Sequence, residues 1–409
     1  MTIKVAVLSG LTYPVPPIRG GGPQIVLYNT CLNINDPEID WKILANWDPD
    51  LEEIDYDRDR ILAIKTTALD RLTLALVNLL PYRIRKRIFS EVGNRERLLL
   101  NLKIIRKLLF KRYDVVICHE SFSLAYLVHL VFPRKKIITY IHNSKVHLDF
   151  DEEMWKRYVI ASTGGMVLGS KESLSDLQQR FGYLPRETRV ILNGIDIDRF
   201  NSEKRERYQD EMRERYGIPL DDFVFIYCGR ISPIKNIDRI LKSFLELADD
   251  LSAARLVIVG SASQDNYGDI SYEEQLHRMI PEDRASRVIF TGFIPQEELP
   301  QIYAVADCGI LGTKKSETLT LFLLECLACG IPVIAPKLGA LPDVIREEKE
   351  GILLARDYSI EQMQGAMRKM IRNKNEWQKR SKEIEQYIHQ NFTWQRVAGD
   401  VVKFIREVV

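Results

Sequence analysis

The sequence lacks the features that mark several specialised classes of protein. No apolar run reaches the roughly 18 residues that a membrane-spanning helix requires, and the N-terminal MTIKVAVLSG lacks the apolar core of a signal peptide. Only six of the 409 residues are cysteines, and they are scattered through apolar stretches. This usage predicts reduced thiols in a cytoplasmic protein rather than a disulfide framework. The net charge of +1 gives no global reason to expect a nucleic-acid partner.

The charge is nevertheless unevenly distributed along the chain. Residues 82–112 contain eleven Lys or Arg against two Glu. Apolar residues recur between these charges at the spacing of an amphipathic helix. One interpretation is a packed helix with a solvated basic face. The other is a basic helix that makes peripheral contact with an anionic membrane surface or binds a phosphorylated acceptor.

The length and the hydrophobic pattern predict two domains of the α/β class. A chain of 409 residues is too long for one ordinary core. Short β-rich apolar runs alternate with helical patterns up to about residue 192, and the same alternation restarts at residue 223. Such alternation is typical of doubly wound parallel sheets with helices on both faces. In such folds ligands bind at the carboxyl ends of the strands, so we expect the site in a cleft between the two domains.

Two loops that follow predicted strands carry residues suited to phosphate binding. Three glycines at 20–22 precede a helix whose first position we expect to be Pro23, so backbone amides can approach an anion there. In YCGRISPIKN, Arg230 and Lys235 stand between a strand and a helix, where a pair of cations suits a diphosphate. The three glycines could instead mark a flexible loop, and the two cations could instead be surface residues that cap a loop.

The stretch SETLTLFLLECLACGIPVIAP places two acids, Glu317 and Glu325, in an apolar segment. We expect a helix to begin between residues 318 and 321, with Glu317 in the loop before it and Glu325 inside it. Glu317 could simply interact with the helix dipole. Because the neighbours of Glu325 are apolar on every side, its helix should be buried and its carboxyl group should need a partner.

This E-x7-E spacing, followed by CGIPVIAP and GALPDVI, resembles the donor-site region of family 4 of the retaining glycosyltransferases, which have the GT-B fold. Further landmarks of that family stand in the same order along nearly the whole chain. They are the glycine loop at 20–22, YIHN at 140–143, VLGSKES at 167–173, NGIDIDRF at 193–200, GRISPIKN at 229–236, VIVGSA at 257–262 and TGFIP at 291–295. Each motif is common by itself, whereas the ordered set is specific.

The resemblance implies two Rossmann-like domains that face a central cleft. Residues 1–195 would form an acceptor-side domain, onto which a C-terminal helix at 393–409 packs back, and residues 196–392 would bind a nucleotide-sugar donor. The implied activity is retaining transfer of a sugar from a nucleotide-diphosphate sugar to a glycan, a lipid-linked or another hydroxyl acceptor. Cell-surface polysaccharide or glycoconjugate synthesis would be the setting.

The resemblance also implies roles for individual residues. Glu317 would hold hydroxyls of the donor sugar, and Glu325 would accept a hydrogen bond from the nucleotide ribose. Arg230 and Lys235 would bind the diphosphate and stabilise the charge that develops on it. His142 would contact a hydroxyl of the reacting sugar.

Backbone amides would complete the donor site. The amides of Gly21 and Gly22 and those of Thr318, Leu319 and Thr320 would help to hold the diphosphate. These groups and the two cations would replace a metal ion, so the resemblance implies no metal and no cofactor.

The sequence departs from the family pattern at several positions. Asn143 stands where an acid is common, Asn236 where glycine often follows the lysine, and Thr320 where glycine is usual. These departures leave open a catalytically silent member that binds nucleotide sugar or a glycan as a scaffold. A third hypothesis is another enzyme on a similar scaffold, such as a sugar-nucleotide epimerase or a phosphorylase.

Overall fold

The structure, a computed structural model, describes residues 2–10, 12–82, 84–85, 95–142, 151–247, 253–262, 270–315 and 319–409. The chain divides into two units. The first contains residues 1–193 and 394–409, and the second contains residues 194–393. The sequence predicts these limits at residues 195 and 392. Asn143 and residues 316–318, which include Glu317 and Thr318, lie outside the described residues.

Short apolar runs of the first unit form a parallel sheet. Its seven strands are β1 (Ile3–Ser9), β2 (Ile39–Asn46), β3 (Ile61–Ile64), β4 (Val115–His119), β5 (Lys136–Ile141), β6 (Gly165–Leu168) and β7 (Thr188–Val190). Their order in the sheet is β3-β2-β1-β4-β5-β6-β7, and every pair is parallel. Strands such as β4, in which every residue is buried, are apolar because helices cover both faces of the sheet.

In the described part of residues 1–193, six helices lie between these strands along the chain. They are α1 (Gly22–Leu32), α2 (Ala68–Leu79), α3 (Arg95–Leu109), α4 (Phe122–Val131), α5 (Glu152–Ala161) and α6 (Lys171–Phe181). The side chains of Thr67, Ser121, Asp151 and Ser170 each accept a hydrogen bond from a backbone N–H in the first turn of the helix that follows. Such caps are preferred because the first amides of a helix have no partner within it.

The basic segment contributes α3 to the core of the first unit. Leu98, Leu100, Ile104 and Leu108 are all at most 5% exposed and belong to the main hydrophobic cluster. The apolar side of α3 therefore packs inside the protein, as in the packed-helix interpretation. Exposed apolar residues lie at the end of α3, at Leu109 and Phe110, and along α2.

The second unit repeats the architecture with six parallel strands. They are β8 (Phe223–Cys228), β9 (Ala254–Val259), β10 (Val288–Gly292), β11 (Cys308–Ile310), β12 (Val333–Pro336) and β13 (Gly351–Leu354). Their order is β10-β9-β8-β11-β12-β13. The strand order reverses between β8 and β11, as it does between β1 and β4 in the first sheet. The predicted alternation of short apolar strands and helices, restarting at residue 223, is present in both units.

The remaining helices surround the second sheet or close the chain. They are α7 (Ser202–Arg215), α8 (Ile237–Leu247), α9 (Ile270–Arg278), α10 (Leu299–Ile302), α11 (Leu321–Ala328), α12 (Leu341–Val344), α13 (Ile360–Arg372), α14 (Lys374–Asn391) and α15 (Trp394–Val408). The last helix, α15, belongs to the first unit and contacts α1. Arg406 of α15 donates hydrogen bonds to Asp36 (2.7 Å) and Glu38 (2.8 Å). Among the described helices, none is both long and apolar enough to cross a membrane.

A buried ion pair anchors α7 in the second unit. Arg213, which is 2% exposed, donates to the carboxylate of Asp307 (2.8 Å) and to the carbonyl oxygens of Leu220, Asp222 and Val305 (2.6–3.0 Å). Because a buried charge is costly unless it is paired and hydrogen-bonded, this set of contacts is what allows an arginine there.

Candidate functional site

In the second unit, the predicted donor residues surround the point at which the strand order reverses. The strands β8 and β11 are neighbours there, and their carboxyl ends lead into the loops that begin at residues 229 and 311. Adjacent loops that leave a parallel sheet toward opposite faces form a crevice, and ligands of such folds bind in it. The sequence predicted both loops as donor-binding segments.

Direct hydrogen bonds hold the two loops together. The N–H of Lys314 donates to the carbonyl oxygen of Ile234 (3.1 Å). The side-chain amide of Asn236 donates to the Tyr358 hydroxyl (3.0 Å), which donates to the carbonyl oxygen of Gly312 (2.8 Å). The loop that carries the cations therefore has a defined position beside the loop that leads into α11.

Asn236 occupies a backbone conformation that explains why glycine is common there. Its φ of 57° and ψ of 38° are left-handed. Glycine adopts this conformation without steric cost, and asparagine is among the few other residues that do so routinely. The departure at this position is therefore compatible with the turn, and the hydrogen bond to Tyr358 ties it to the neighbouring loop.

Arg230 and Lys235 lie in the same loop. Arg230 is exposed and follows Gly229, and its carbonyl oxygen accepts a hydrogen bond from the Tyr227 hydroxyl (3.0 Å). Lys235 is half-buried at the end of a 3-10 helix, Pro233–Lys235. A guanidinium and an ammonium group thus lie in one loop at the carboxyl end of β8, where they can bind a phosphate.

The N-terminus of α11 follows the second loop. The helix begins at Leu321, within the predicted range, and Leu319 before it is buried. Thr320 is the N-cap residue, but its side chain makes no capping hydrogen bond, and no acid lies in the first turn. The first amides and the positive end of the helix dipole remain suited to an anionic ligand.

Glu325 lies on α11 and has the partner that its apolar surroundings require. It is 6% exposed, and the hydroxyl of Tyr303 donates to its carboxylate (2.5 Å). Burial raises the pKa of Glu325 to about 7, against the opposing effects of the Tyr303 hydrogen bond and the Arg199 charge. A ligand that donates hydrogen bonds to the carboxyl group would favour its ionised form.

In the first unit, His142 follows β5 and is paired with a second histidine. Its Nε2 lies 2.6 Å from Nδ1 of His119, the last residue of β4, and its backbone N–H donates to the carboxylate of Glu120 (2.7 Å). The ring of Tyr140 stacks on that of His142, with centroids 4.3 Å apart. Burial lowers the pKa of His142 to about 3 and, with a smaller effect of the His142 charge, lowers the pKa of His119 well below its ordinary value. Two neutral imidazoles can share one N–H, which fixes the orientation of both rings.

The glycine loop ends at α1 in conformations that favour glycine. Gly20 and Gly21 have φ values of 71° and 95°. A Cβ atom on Gly21 would lie 2.5 Å from the Gln24 side-chain oxygen, whereas one on Gly22 would meet nothing within 4 Å. The helix begins at Gly22, so Pro23 is its second residue and the expectation that it is the first was wrong. Proline is tolerated at either position because its missing N–H would have no partner in the helix.

The candidate residues are thus divided between the two units. Gly21, Gly22 and His142 belong to the first unit, whereas the other described candidates belong to the second. Those others are Arg230, Lys235, Leu319, Thr320 and Glu325. Within the described ranges, no three His, Cys, Asp or Glu side chains lie together in a way that could hold a metal ion.

Comparison with known proteins shows the family. Residues 208–390 match the glycosyl transferases group 1, and residues 20–199 match glycosyltransferase family 4. The chain belongs to glycosyltransferase family 4. This glycosyltransferase is similar to spore coat protein SA of Bacillus subtilis (strain 168), with 22% identity over 405 residues that make up 98% of each chain. It is 31% identical to the D-inositol 3-phosphate glycosyltransferase of Acidothermus cellulolyticus over 202 residues, which cover 48% of this chain and 43% of that protein.

Solved structures share the GT-B fold of this glycosyltransferase. Anabaena Alr3699/HepE, in a complex with UDP, superposes with a TM-score of 0.75 at 17% identity over 99% of this chain and 100% of that chain. Sucrose-phosphate synthase from Thermosynechococcus elongatus superposes with a TM-score of 0.77 at 16% identity over 99% of both chains. At these identities the likeness concerns the fold, whereas the family follows from the sequence matches.

Sequence reasoning missed two polar residues of this glycosyltransferase, His119 and Tyr303. His119 ends the apolar run VVICH, and a histidine at the carboxyl end of a strand next to β5 was an available signal. Tyr303 lies in a 3-10 helix, Tyr303–Val305, where the ring of Phe200 packs edge-on against it. No spacing in the sequence relates Tyr303 to Glu325, so only the structure could identify it.

Proposed function

We propose that this glycosyltransferase moves a sugar, with retention of anomeric configuration, from a nucleotide-diphosphate sugar to a hydroxyl of a glycan or a lipid-linked acceptor. The observation that carries the proposal is the position of the loop with Arg230 and Lys235. It lies beside the loop that leads into α11, at the reversal of strand order in the second sheet. Synthesis of a cell-surface polysaccharide or glycoconjugate is the setting that we propose.

The second unit would bind the donor. Arg230 and Lys235 would contact the diphosphate together with backbone amides around Leu319 and Thr320. Glu325 would accept a hydrogen bond from a ribose hydroxyl, in exchange for or in addition to that from Tyr303. Complexes of Anabaena Alr3699/HepE with UDP and with UDP-glucose make uridine diphosphate sugars the first donors to try.

The chemistry follows from the charge that develops during transfer. The bond from the anomeric carbon to the diphosphate oxygen breaks, and negative charge accumulates on the leaving diphosphate. Cations and helix amides that are already in position stabilise that charge, which is usually the largest contribution to such catalysis. The acceptor hydroxyl forms the new bond and passes its proton to the departing diphosphate, an arrangement in which attack and departure occur on the same face. We propose that no metal ion is needed.

The first unit would contribute to the sugar and acceptor side. His142 would contact a hydroxyl of the reacting sugar, and His119 would hold its ring in place through the contact between Nδ1 and Nε2. The amides of Gly21 and Gly22 would approach the diphosphate. In the second unit, Glu317 would hold hydroxyls of the donor sugar and the amide of Thr318 would help to hold the diphosphate. These two roles rest on the family resemblance, because both residues lie outside the described residues.

The experiment measures binding and turnover of uridine, guanosine and adenosine diphosphate sugars in the presence of a chelator. Wild type is compared with Lys235→Ala, Glu317→Ala and a matched control, Lys242→Ala, whose lysine is exposed on α8. Loss of one group that stabilises the leaving diphosphate should lower kcat by roughly a hundredfold or more, whereas the control should stay close to wild type. Nuclear magnetic resonance of the product reports the anomeric configuration.

Each outcome separates the candidate functions. Metal-independent transfer with retention that Lys235→Ala abolishes supports the proposal. Binding without turnover, even with candidate acceptors, would favour a silent scaffold. Conversion of the donor sugar without an acceptor would favour an epimerase. A Lys235→Ala variant as active as the control would refute the role of the cation loop.

A further inference from the structure

Helix α2 exposes a continuous row of leucines. Leu69, Leu72, Leu76 and Leu79 are 58%, 58%, 56% and 81% exposed. Their spacing of three, four and three residues places them on one side of the helix, and we name this row the α2 leucine face. Directly after the helix, Leu80, Tyr82 and Ile84 are also exposed.

The fold itself does not require this face to be apolar. The opposite side of α2 already packs into the first unit through Leu74 and through Asp70, which is ion-paired with Arg106 (2.8 Å). The capping box of Thr67 and Asp70 defines the start of the helix. Since α2 is apolar on its outward side as well, it resembles a buried helix while lying at the surface of its unit. Exposed apolar patches of this kind mark binding surfaces.

The charge of the surrounding segment indicates the chemistry of the partner. Residues 68–112 contain twelve Lys or Arg and three acids, although the whole chain has a net charge of only +1. Asp70, one of the three acids, is buried against Arg106. Arg71 is exposed on α2, and Arg85 donates a hydrogen bond to Asn78 on the same helix. The leucine face is thus flanked by cations, and an anionic partner would complement it.

The shape and charge of the face decide between the possible partners. In a two-fold dimer the same face would meet itself, which would bring two strongly basic segments together. A row of this spacing also has the pattern of a coiled-coil seam, but a partner helix would have to be anionic to match the cations beside it. An anionic bilayer accepts such a ridge, because leucines enter the boundary between headgroups and acyl chains while cations remain at the phosphates.

We propose that the α2 leucine face, with the cations beside it, docks this protein on an anionic membrane surface. The proposal assigns the apolar part of the contact to α2, whereas the apolar side of α3 is buried in the core. It stands independently of the proposed function, because its test reads vesicle binding and not glycosyl transfer.

The test is flotation of the full chain with vesicles of phosphatidylcholine, alone or mixed with phosphatidylglycerol. The variant Leu72→Ser with Leu76→Ser removes two leucines of the face. Its matched control replaces two leucines of similar exposure elsewhere, Leu130→Ser with Leu220→Ser. A further variant, Arg71→Gln with Arg85→Gln, removes cations and leaves the leucines.

We expect wild type and the control to bind the anionic vesicles, with little binding to phosphatidylcholine alone. The variant of the leucine face should bind at least about tenfold more weakly, and the arginine variant should bind more weakly, most clearly at low salt. If the serine variant loses its circular dichroism signal, Leu72→Ala with Leu76→Ala replaces it, because alanine favours a helix while removing most of the apolar surface.

Three results would overturn the proposal. The first is equal binding of anionic vesicles by wild type and by a folded variant of the leucine face. The second is wild-type binding that does not depend on phosphatidylglycerol. The third is that wild type binds no vesicles and forms an oligomer in solution, which the leucine substitutions convert to a monomer. That result would assign the face to self-association.

Discussion

The substitution Glu325→Gln should make the stability of the second unit less dependent on pH. The carboxyl group of Glu325 is buried and accepts a hydrogen bond from Tyr303. Glutamine has nearly the same shape and keeps an oxygen that can accept that bond, but it carries no charge. The substitution therefore removes the cost of a buried carboxylate and leaves the packing of α11 in place.

The magnitude follows from the pKa of Glu325. Burial raises it from an ordinary value of 4.5 to about 7, so the folded protein retains a proton that the unfolded chain has lost between these pH values. The free energy of unfolding should therefore fall as the pH rises through this window. A pKa difference of about 2.5 corresponds to roughly 3 kcal/mol. The free energy of unfolding of Glu325→Gln should be similar to that of wild type at about pH 4.5. It should exceed that of wild type by roughly 3 kcal/mol at about pH 8.

Hydrogen–deuterium exchange of peptides from β11 and α11 is a suitable assay. It reports the free energy of opening in the second unit separately from the first, once the intrinsic pH dependence of exchange has been divided out. At the higher pH, protection in Glu325→Gln should exceed that in wild type on the order of a hundredfold. The control is Glu383→Gln, at an exposed glutamate of α14, which should not change the pH dependence. If the ratio of protection in Glu325→Gln to protection in wild type is the same at both pH values, the reasoning is refuted.

Two further predictions concern the second unit. Arg213→Met should lower its free energy of unfolding by about 3 to 5 kcal/mol. The buried carboxylate of Asp307 loses the closer of its two ion pairs and keeps Arg205 at 4.0 Å, and the carbonyl oxygens of residues 220, 222 and 305 lose the hydrogen bonds that Arg213 donates. Arg215→Met on the exposed side of the same helix should change the free energy of unfolding by less than about 1 kcal/mol. Denaturant unfolding of both variants checks this, and equal losses would contradict it. Asn236→Ala should lower the free energy of unfolding by about 1 to 2 kcal/mol, because alanine is strained in the left-handed backbone conformation, and Asn236→Gly should lower it less. Titration calorimetry with the donor then shows whether the loop still binds. An alanine variant as stable as the glycine variant would argue against the left-handed conformation.

The fold was accessible from the sequence because hydrophobic periodicity reports burial locally. Runs such as FVFIYC at β8 and VVIC at the start of β4 are apolar, since both faces of a parallel sheet are covered. The same logic identified Glu325 as a buried acid. The ordered family landmarks added the GT-B fold and the enzyme class, which the comparisons confirmed.

The interpretation of the basic segment shows where the pattern was insufficient. Amphipathic spacing in residues 82–112 predicted a helix but not whether its apolar side faces the core or a partner. In the structure that side is buried, and the exposed apolar row lies on α2. Periodicity gives the relative positions of residues on one helix, whereas the side that meets the core depends on how the helix packs on the sheet.

The sequence by itself determined the two parallel sheets, the loops that carry Arg230 and Lys235, and the need of Glu325 for a partner. Only the tertiary structure decided which groups meet across long separations in the chain. Tyr303 reaches Glu325, and His119 reaches His142 from a neighbouring strand. The physical reason is that burial and helix or strand periodicity are properties of short segments, whereas a hydrogen bond between distant segments depends on strand order and on the packing of whole elements.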